Sequence, residues 1–566
     1  MIHFLFGRWQ ALTAFPVLLA MGLLAAAAHA AEPASSSADT VPSVAAAAER
    51  GRALYEDARR ADGSRLTAER DGLGTVSGDN AACAACHRRS TFGNREAALL
   101  VPPLAGHLLF APLQRQTLIR ASTALQRQEL RAYDRPAYTQ ASLGAALHEG
   151  IDPAGRRLGP AMPRYRLTAA ELADLSAHLN AVSQRQPPGV DADRVHLASV
   201  ITPQATPQAR ATVEVAMRAW SASARVGRKR VEWRVWQLQG PPESWAAQLE
   251  AYWREQAVFA MVSGAGGGDW QAVSDFCEAR LLPCLFPTLE RAPANAPRQY
   301  TSVYLSTGVD AEAALLARLL NEPGTTTPSR VLSLGVAGDV AAASASDVLQ
   351  HALKARGQTL RRLAVEKPYA DDVAQALSAM DADEVAMLWL RAAELQAVLQ
   401  RLPPPAAALE KLGQPSVPRV WLSATLAPPH RTSIPAAWRP YVAWASVHAD
   451  RTRREAGGAL SSALWAAALA LPNTVDPVVL ADVHAATFFF TDGLARMREG
   501  LSGEYLLERL EAAVDLRPAG SGYFRLSLGP GQRVAAQGGH ALVFASPQAT
   551  MPQSSGRFLS AEPPSD

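Results

Sequence analysis

The sequence predicts a multidomain chain in which an all-α domain is followed by a bilobal α/β module. Three observations carry this. The chain has 566 residues, too many for one ordinary core, so roughly two to four domains are expected. The run QPPG at 186–189 breaks the chain, because two prolines and a glycine cannot continue a helix. Beyond it, strand-like apolar runs alternate with helical spacings, and the alternation restarts near Ser302. That is the pattern of parallel sheets covered on both faces. Hydrophobic residues make up 48% of the chain, so it is globular rather than disordered. A net charge of +3 gives no ground for a nucleic-acid partner.

Taken in order, residues 1–30 read as an export signal. Arg8 supplies a thin positive region, 11–28 are apolar, and Ala28, His29 and Ala30 fit a small-x-small cleavage site. The competing reading is an uncleaved anchor, since the run is about long enough to span a bilayer. Cleavage after Ala30 leaves a periplasmic chain with no further segment apolar enough to cross a membrane. Residues 31–45 read as a flexible leader, 46–184 as the first domain and 185–194 as a linker. Residues 195–546 read as the α/β module and 547–566 as a flexible tail. Within the module, strands are expected at 195–201, 231–238, 258–263, 284–286, 331–335, 361–365, 384–390 and 420–423. Helices are expected at 208–223, 243–256, 269–281, 311–320, 341–356, 373–379 and 392–402.

Two of the four cysteines lie in CAACH, Cys83–His87. Thiols three residues apart can each add across one heme vinyl group, and the next residue, His87, then lies under the iron as a ligand. The export signal supports this, because c-type heme is attached outside the cytoplasm. A zinc site wants a second cysteine or histidine pair nearby, and none has that spacing. A thioredoxin-like pair wants a preceding strand in a βαβ unit, and none is read there. Electron-carrier heme takes Met or His opposite the proximal His. Met162 is the sole methionine between 46 and 184, in a loop held extended by Pro160 and Pro163. The competing reading is a core methionine beside a helix start; His107, His148 and His178 are the replacement ligands. After it, Thr168 and Glu171 form a capping box, and Leu172, Leu175 and Leu179 make one apolar stripe.

With GRALYE at 51–56, CAACH, VPPLAG at 101–106, Met162 and the helix at 168–182, this segment resembles a class I cytochrome c. The resemblance implies one covalent heme c anchored by Cys83 and Cys86, with iron held by His87 and Met162. It also implies that the first helix packs on the last and that Pro103 packs by His87. Six-coordinate iron implies outer-sphere electron transfer with redox partner proteins, not catalysis. Two departures stand out: the stretch from Tyr55 to Cys83 is long, and so is the insertion at 108–144. Either can shield the heme edge or form a docking surface.

The doubled βα series and the ending FRLSLGPGQR, 524–533, with HALVF, 540–544, resemble type I periplasmic solute-binding proteins. The resemblance implies hinge closure on a small-molecule solute, with contacts from loops at strand C-termini. Those positions are Ser263, Gly264 and Asp269 in the Gly-rich loop, and Thr288. Amides of that loop can hold an anion; an ordinary tight turn is the competing reading. Cys277 and Cys284 read as a disulfide in an oxidising compartment, with free thiols the lesser reading. Trp233, Trp236, Trp245 and Trp253 read as packing residues. No nucleophile–base set, P-loop or metal cluster is found, so no enzyme is expected. The fused arrangement resembles accessory proteins of PQQ-dependent alcohol dehydrogenase systems. That implies a periplasmic carrier of single electrons from such a quinoprotein to the respiratory chain, with the second module docking or sensing. The alternative is a solute-binding protein of an ABC transporter or receptor system, with the heme reporting redox state.

Overall fold

The computed structural model describes residues 43–560 apart from 73, 97–98, 114–133, 324–326, 368, 382, 402–417, 450–456, 498–499, 515–521, 524–525, 530, 537 and 557. The expected signal and nearly all of the leader lie outside the described residues. In the first segment the helices are α1 (Val44–Asp57), α2 (Cys83–His87), α3 (Gly106–Leu109), α4 (Gln140–His148) and α5 (Ala169–Gln184). Short strands β1 (Thr67–Arg70), β2 (Gly74–Ser77), β3 (Asn94–Glu96), β4 (Leu99–Val101) and β5 (Arg164–Tyr165) accompany them. α1 buries Gly51, Leu54 and Tyr55. It crosses α5 so closely that a Cβ on Gly51 would sit 2.0 Å from the Asp174 carbonyl oxygen. Arg50 locks the crossing with a two-pronged ion pair to Asp174, at 2.8 and 2.7 Å. α5 starts at the Thr168–Glu171 capping box and turns Leu172, Leu175 and Leu179 inward.

The all-α expectation is corrected. β1 pairs antiparallel with β2 and with β5, Ala68 standing opposite Val76 and Tyr165, and β3 pairs with β4. The hairpin turns at Asp71 and Gly72, a turn signal that helix-centred reading passes over.

Two α/β lobes follow. The first holds β6 (Arg194–Ile201), α6 (Pro207–Ser223), β7 (Arg225–Val226), β8 (Lys229–Gln237), α7 (Trp245–Glu255), β9 (Ala260–Gly266), α8 (Gln271–Arg280), β10 (Cys284–Leu285), β11 (Thr288–Leu289) and β12 (Ser302–Val303). Its sheet order is β12-β10-β9-β6-β8-β7, with β11 on β9; every pair but β7–β8 is parallel. The second lobe holds α9 (Val309–Leu319), β13 (Arg330–Val336), α10 (Val340–Lys354), β14 (Thr359–Val365), α11 (Ala370–Ser378), β15 (Glu384–Trp389), α12 (Ala392–Leu399), β16 (Val420–Ser423) and β17 (Val442–Ser446). The chain then returns to the first lobe as α13 (Gly457–Ala468), α14 (Pro477–Ala495) and α15 (Gly503–Val514). It ends on the second sheet with β18 (Gly538–Val543), β19 (Gln553–Ser554) and β20 (Leu559–Ser560). That sheet runs β14-β13-β15-β16-β17-β18-β19, parallel through β17 and antiparallel beyond it. Separate apolar clusters bury the two faces of each sheet, which is why strands such as β6 and β15 are apolar along nearly their whole length.

Three further expectations change. Residues 553–560 are not a free tail, because β19 and β20 pair with β18. The linker is not free either: the His196 amide donates to the Gly189 carbonyl at 2.8 Å, folding the Pro-Pro-Gly run onto β6. And α14 is, by length and composition, apolar enough to cross a membrane. It is instead the inner helix of the first lobe, with 72% of its apolar window buried.

The first segment docks on α15. Glu508, buried on that helix, accepts from the Ser90 amide at 3.0 Å and from the Ser90 hydroxyl. Phe92 packs on Tyr505 with ring centroids 4.6 Å apart, Arg185 pairs with Glu504 at 3.1 Å, and the Arg89 guanidinium lies over the Tyr300 ring. Burial raises the Glu508 carboxyl to about 7 from its usual 4.5, against the pull of the Ser90 hydrogen bonds. The folded chain therefore holds this proton to a higher pH than the unfolded chain does. Its contribution to stability is full below about pH 4.5 and is lost as pH rises through about 7. Glu508→Gln is expected to remove roughly 1–3 kcal/mol of that pH dependence. Urea denaturation at about pH 5 and about pH 8 checks it; an unchanged difference between the two would sink the assignment.

Candidate functional site

Two places gather functional groups. The first is the Cys83–His87 turn. Ala82 enters it extended, and Arg88 leaves it at φ 64. The His87 ring is 5% exposed, and its Nδ1 lies 2.9 Å from the Pro102 carbonyl. With Nδ1–H donating there, Nε2 carries the lone pair that a metal takes. Burial lowers the His87 pKa to about 4, only partly offset by that hydrogen bond, so the ring is neutral near pH 7. Cys83 and Met162 both pack against the cluster formed by Tyr55, Leu66, Leu143, Tyr165 and Leu172. A neutral, oriented imidazole, two thiols outside any disulfide one helical turn apart and a thioether on the same cluster fit the donor set of a c-type heme. The group that holds the His87 ring is the carbonyl of Pro102, next to Pro103. Of the replacement ligands, His107 lies edge-on to Phe92, His148 accepts the Leu167 amide, and His178 packs on Tyr55 between α1 and α5.

The second place is a cleft of about 450 Å³ between the lobes. The N-termini of α6, α12 and α14 face it, with the ends of β9 and β11 and the loop after β16. The starts of α6 and α14 are capped by side chains, and α12 carries Glu394 in its first turn. Thr206 accepts the Ala209 amide, Asp476 accepts the Val478 and Val479 amides at 2.9 and 3.2 Å, and Glu394 accepts the Arg391 amide. Burial opposes ionisation of Asp476, yet the His430 hydrogen bond and the two amides outweigh it and hold its pKa at about 2. Arg431 stands 3.4 Å from the same carboxylate. Across the lobes, Arg391 grips Glu290 through two bonds, at 2.9 and 2.6 Å, and also pairs with Asp339. Gly268 of the first lobe lies against Ala341 of the second. Glu312, fully buried, accepts from Ser423 and from the Thr425 amide and hydroxyl; burial raises it to about 8.

Asp482 stands apart. It lies on α14 one and a half turns beyond its cap and lines the cleft at 2% exposure. Thr288 donates to its Oδ2 at 3.1 Å, and the Tyr523 phenol adds a hydrogen bond. Its Oδ1 is buried without a partner. Burial, with the Asp476 charge adding to it, raises the carboxyl to about 7. The His448 ring packs on Tyr523 at 4.8 Å between centroids.

Among the residues expected to touch a solute, Thr288 lines the cleft. Ser263 and Gly264 do not. They form a bulge inside the sheet where the β6–β9 register shifts, and a Cβ on Gly264 would sit 2.6 Å from the Val200 carbonyl oxygen. Asp269 caps α8 through the Gln271 amide at 3.2 Å. The anion cradle is thereby corrected to a bulge and a cap. Cys277 and Cys284 are free buried thiols rather than a disulfide; Cys277 donates to the Met261 sulfur at 3.6 Å, and burial pushes its pKa far up. Sequence reasoning missed Asp476, Asp482, Glu290, Arg391 and Tyr523. The signals present were Thr206-Pro207 and Asp476-Pro477, each a cap followed by proline in the first turn.

No family model and no curated protein matches the chain. Among solved structures it is similar to a solute binding protein of an ABC transporter from Rhodopseudomonas palustris HaA2 in complex with p-hydroxybenzoic acid. The identity is 13% over 66% of this chain and 98% of that one, with a TM-score of 0.49. It is also similar to a fatty acid ABC transporter substrate-binding protein from Thermomonospora curvata (14% identity, 67% and 95% covered, TM-score 0.48). A third is the substrate binding protein of an ABC transporter from Aeropyrum pernix (14% identity, 65% and 97% covered, TM-score 0.48). The leading functional expectation is corrected. These structures, which run along about two thirds of the chain, are named as solute- or substrate-binding proteins, not as electron carriers served by an alcohol dehydrogenase. The two lobes and their cleft stand on this chain's own strands and helices.

Proposed function

We propose that this is an exported solute-binding protein whose two lobes close on a small molecule, with a c-type heme in the first segment as its redox reporter. The observation that carries the reading is the cleft itself. It has about the volume of a small-ligand site. Its walls come from both lobes, and it holds a few polar groups among Pro287, Leu289, Ala392 and Val479. The chain passes from the first lobe to the second at 303–309, between β12 and α9, a segment placed to act as a hinge. A test is release of the resident molecule: protein purified from its native periplasm is denatured, and the supernatant is read by mass spectrometry. A single small solute in stoichiometric amount is expected. Its absence, together with no thermal shift across a library of small solutes, would overturn the reading.

For the heme, Cys83 and Cys86 would hold the porphyrin, and His87 and Met162 the iron. When bound, it supplies a one-electron iron couple. The Pro102 carbonyl orients His87, and the surrounding apolar cluster keeps water from the ring. Met162→Ala is expected to leave the heme attached but to open a coordination position. Visible spectra of protein from a host that attaches c-type heme would show carbon monoxide binding in the variant and none in the parent. A parent that binds carbon monoxide equally well would remove Met162 as ligand.

A further inference from the structure

We infer that the solute is a small organic amine, bound as its ammonium form by Asp482. This rests on the solute-binding reading and names the chemistry of that site. Arg391 is taken up by Glu290 and Asp339, and Arg431 faces Asp476. Asp476 is satisfied by two amides, and Glu290 by Arg391. The Thr425 amide and hydroxyl go to Glu312. Of the helix starts that would draw an anion, α6 and α14 are capped by side chains and α12 has the Glu394 carboxylate in its first turn. A solute carboxylate therefore meets arginines and helix ends that already have acidic or hydroxyl partners.

Asp482 is the opposite case. Its carboxyl is almost wholly buried, faces the cleft, and keeps Oδ1 without a partner. The groups that face it are Thr288 from β11, Tyr523 and Asp476, with His448 against Tyr523; Arg391 and Arg431 are bound elsewhere. A buried carboxylate calls for a cation and a full set of donors. An ammonium supplies both. Leu289, Val478 and Val479 line the same cavity and suit the carbon part of the molecule.

Binding of an ammonium needs the ionised carboxylate. With Asp482 near 7 before binding, affinity is expected to be lost as pH falls through about 7 and to level off above it. The experiment is calorimetry on the full chain with 2-phenylethylamine and n-butylamine, set against 2-phenylethanol, leucine and p-hydroxybenzoate. An amine is expected to bind. Asp482→Asn, which keeps the shape, should weaken it by at least about 30-fold and flatten the pH profile. Thr288→Val should weaken it less, and His448→Gln should leave the pH profile in place. Binding of p-hydroxybenzoate, leucine or the alcohol in preference to the amines, unaffected by Asp482→Asn, overturns the inference and leaves the solute-binding reading standing. If no probe binds, the mass spectrum of the released molecule decides. An amine supports the inference, a solute without an amine overturns it alone, and no solute at all overturns both.

Discussion

Arg391→Met is expected to lower stability by about 2–3 kcal/mol and to open the cleft. The methionine keeps most of the side-chain volume and removes the charge. Glu290 and Asp339 are then left facing each other's side of the cleft with no cation between them. Their side chains are only 12% and 10% exposed, so water compensates little. The magnitude is held below that of a fully buried pair because Arg391 is one-third exposed. The two Arg391–Glu290 bonds join the lobes, so their loss also shifts the balance toward an open form. Urea denaturation gives the first effect, and the radius of gyration in solution scattering gives the second. A variant with parental midpoint and parental scattering would show that Arg391 ties nothing together.

Gly51→Val is expected to cost about 3 kcal/mol or more. The added carbon would stand 2.0 Å from the Asp174 carbonyl oxygen and 2.8 Å from the His178 Cβ. Backbone cannot yield as a flexible side chain can, so α1 must move away from α5. That movement pulls Arg50 off Asp174 and exposes Leu54 and Tyr55, which are buried in the native crossing. Val44→Ala on the same helix, at an exposed position, serves as the control and should change little. Thermal and urea unfolding report both. A loss under about 1 kcal/mol for Gly51→Val would mean that the crossing is loose.

Much of the fold was legible because its signals are local. The runs that became β6, β9, β13 and β15 are apolar and bounded by turns, and buried parallel strands look that way. The β1–β2 hairpin was missed because its four-residue strands carry Glu69, Arg70, Thr75 and Ser77, a polar set that propensity does not mark as sheet. α14 was missed for the opposite reason. It is buried on nearly all sides, so it has no polar stripe to reveal its period. The site was harder still. Thr288 was found because it follows a strand. Its partner Asp482 lies 194 residues away, on a helix that the chain contributes only after building the second lobe. Nothing local announces such a pairing. The state of Cys277 and Cys284 depended on where α8 ends, which no local spacing announces.

The contact between Ser90 and Glu508 joins positions 418 residues apart. During synthesis the amino-terminal part emerges first. For most of that interval Ser90 and Phe92, just beyond the Cys83–His87 turn, stand uncovered, because the helix that will lie against them has not yet been delivered. Once α15 arrives, Phe92 and Ser90 are covered and the approach from that side is shut. The loop that follows the turn is thus completed only when nearly the whole chain has been made, with α15 as the piece that packs on it.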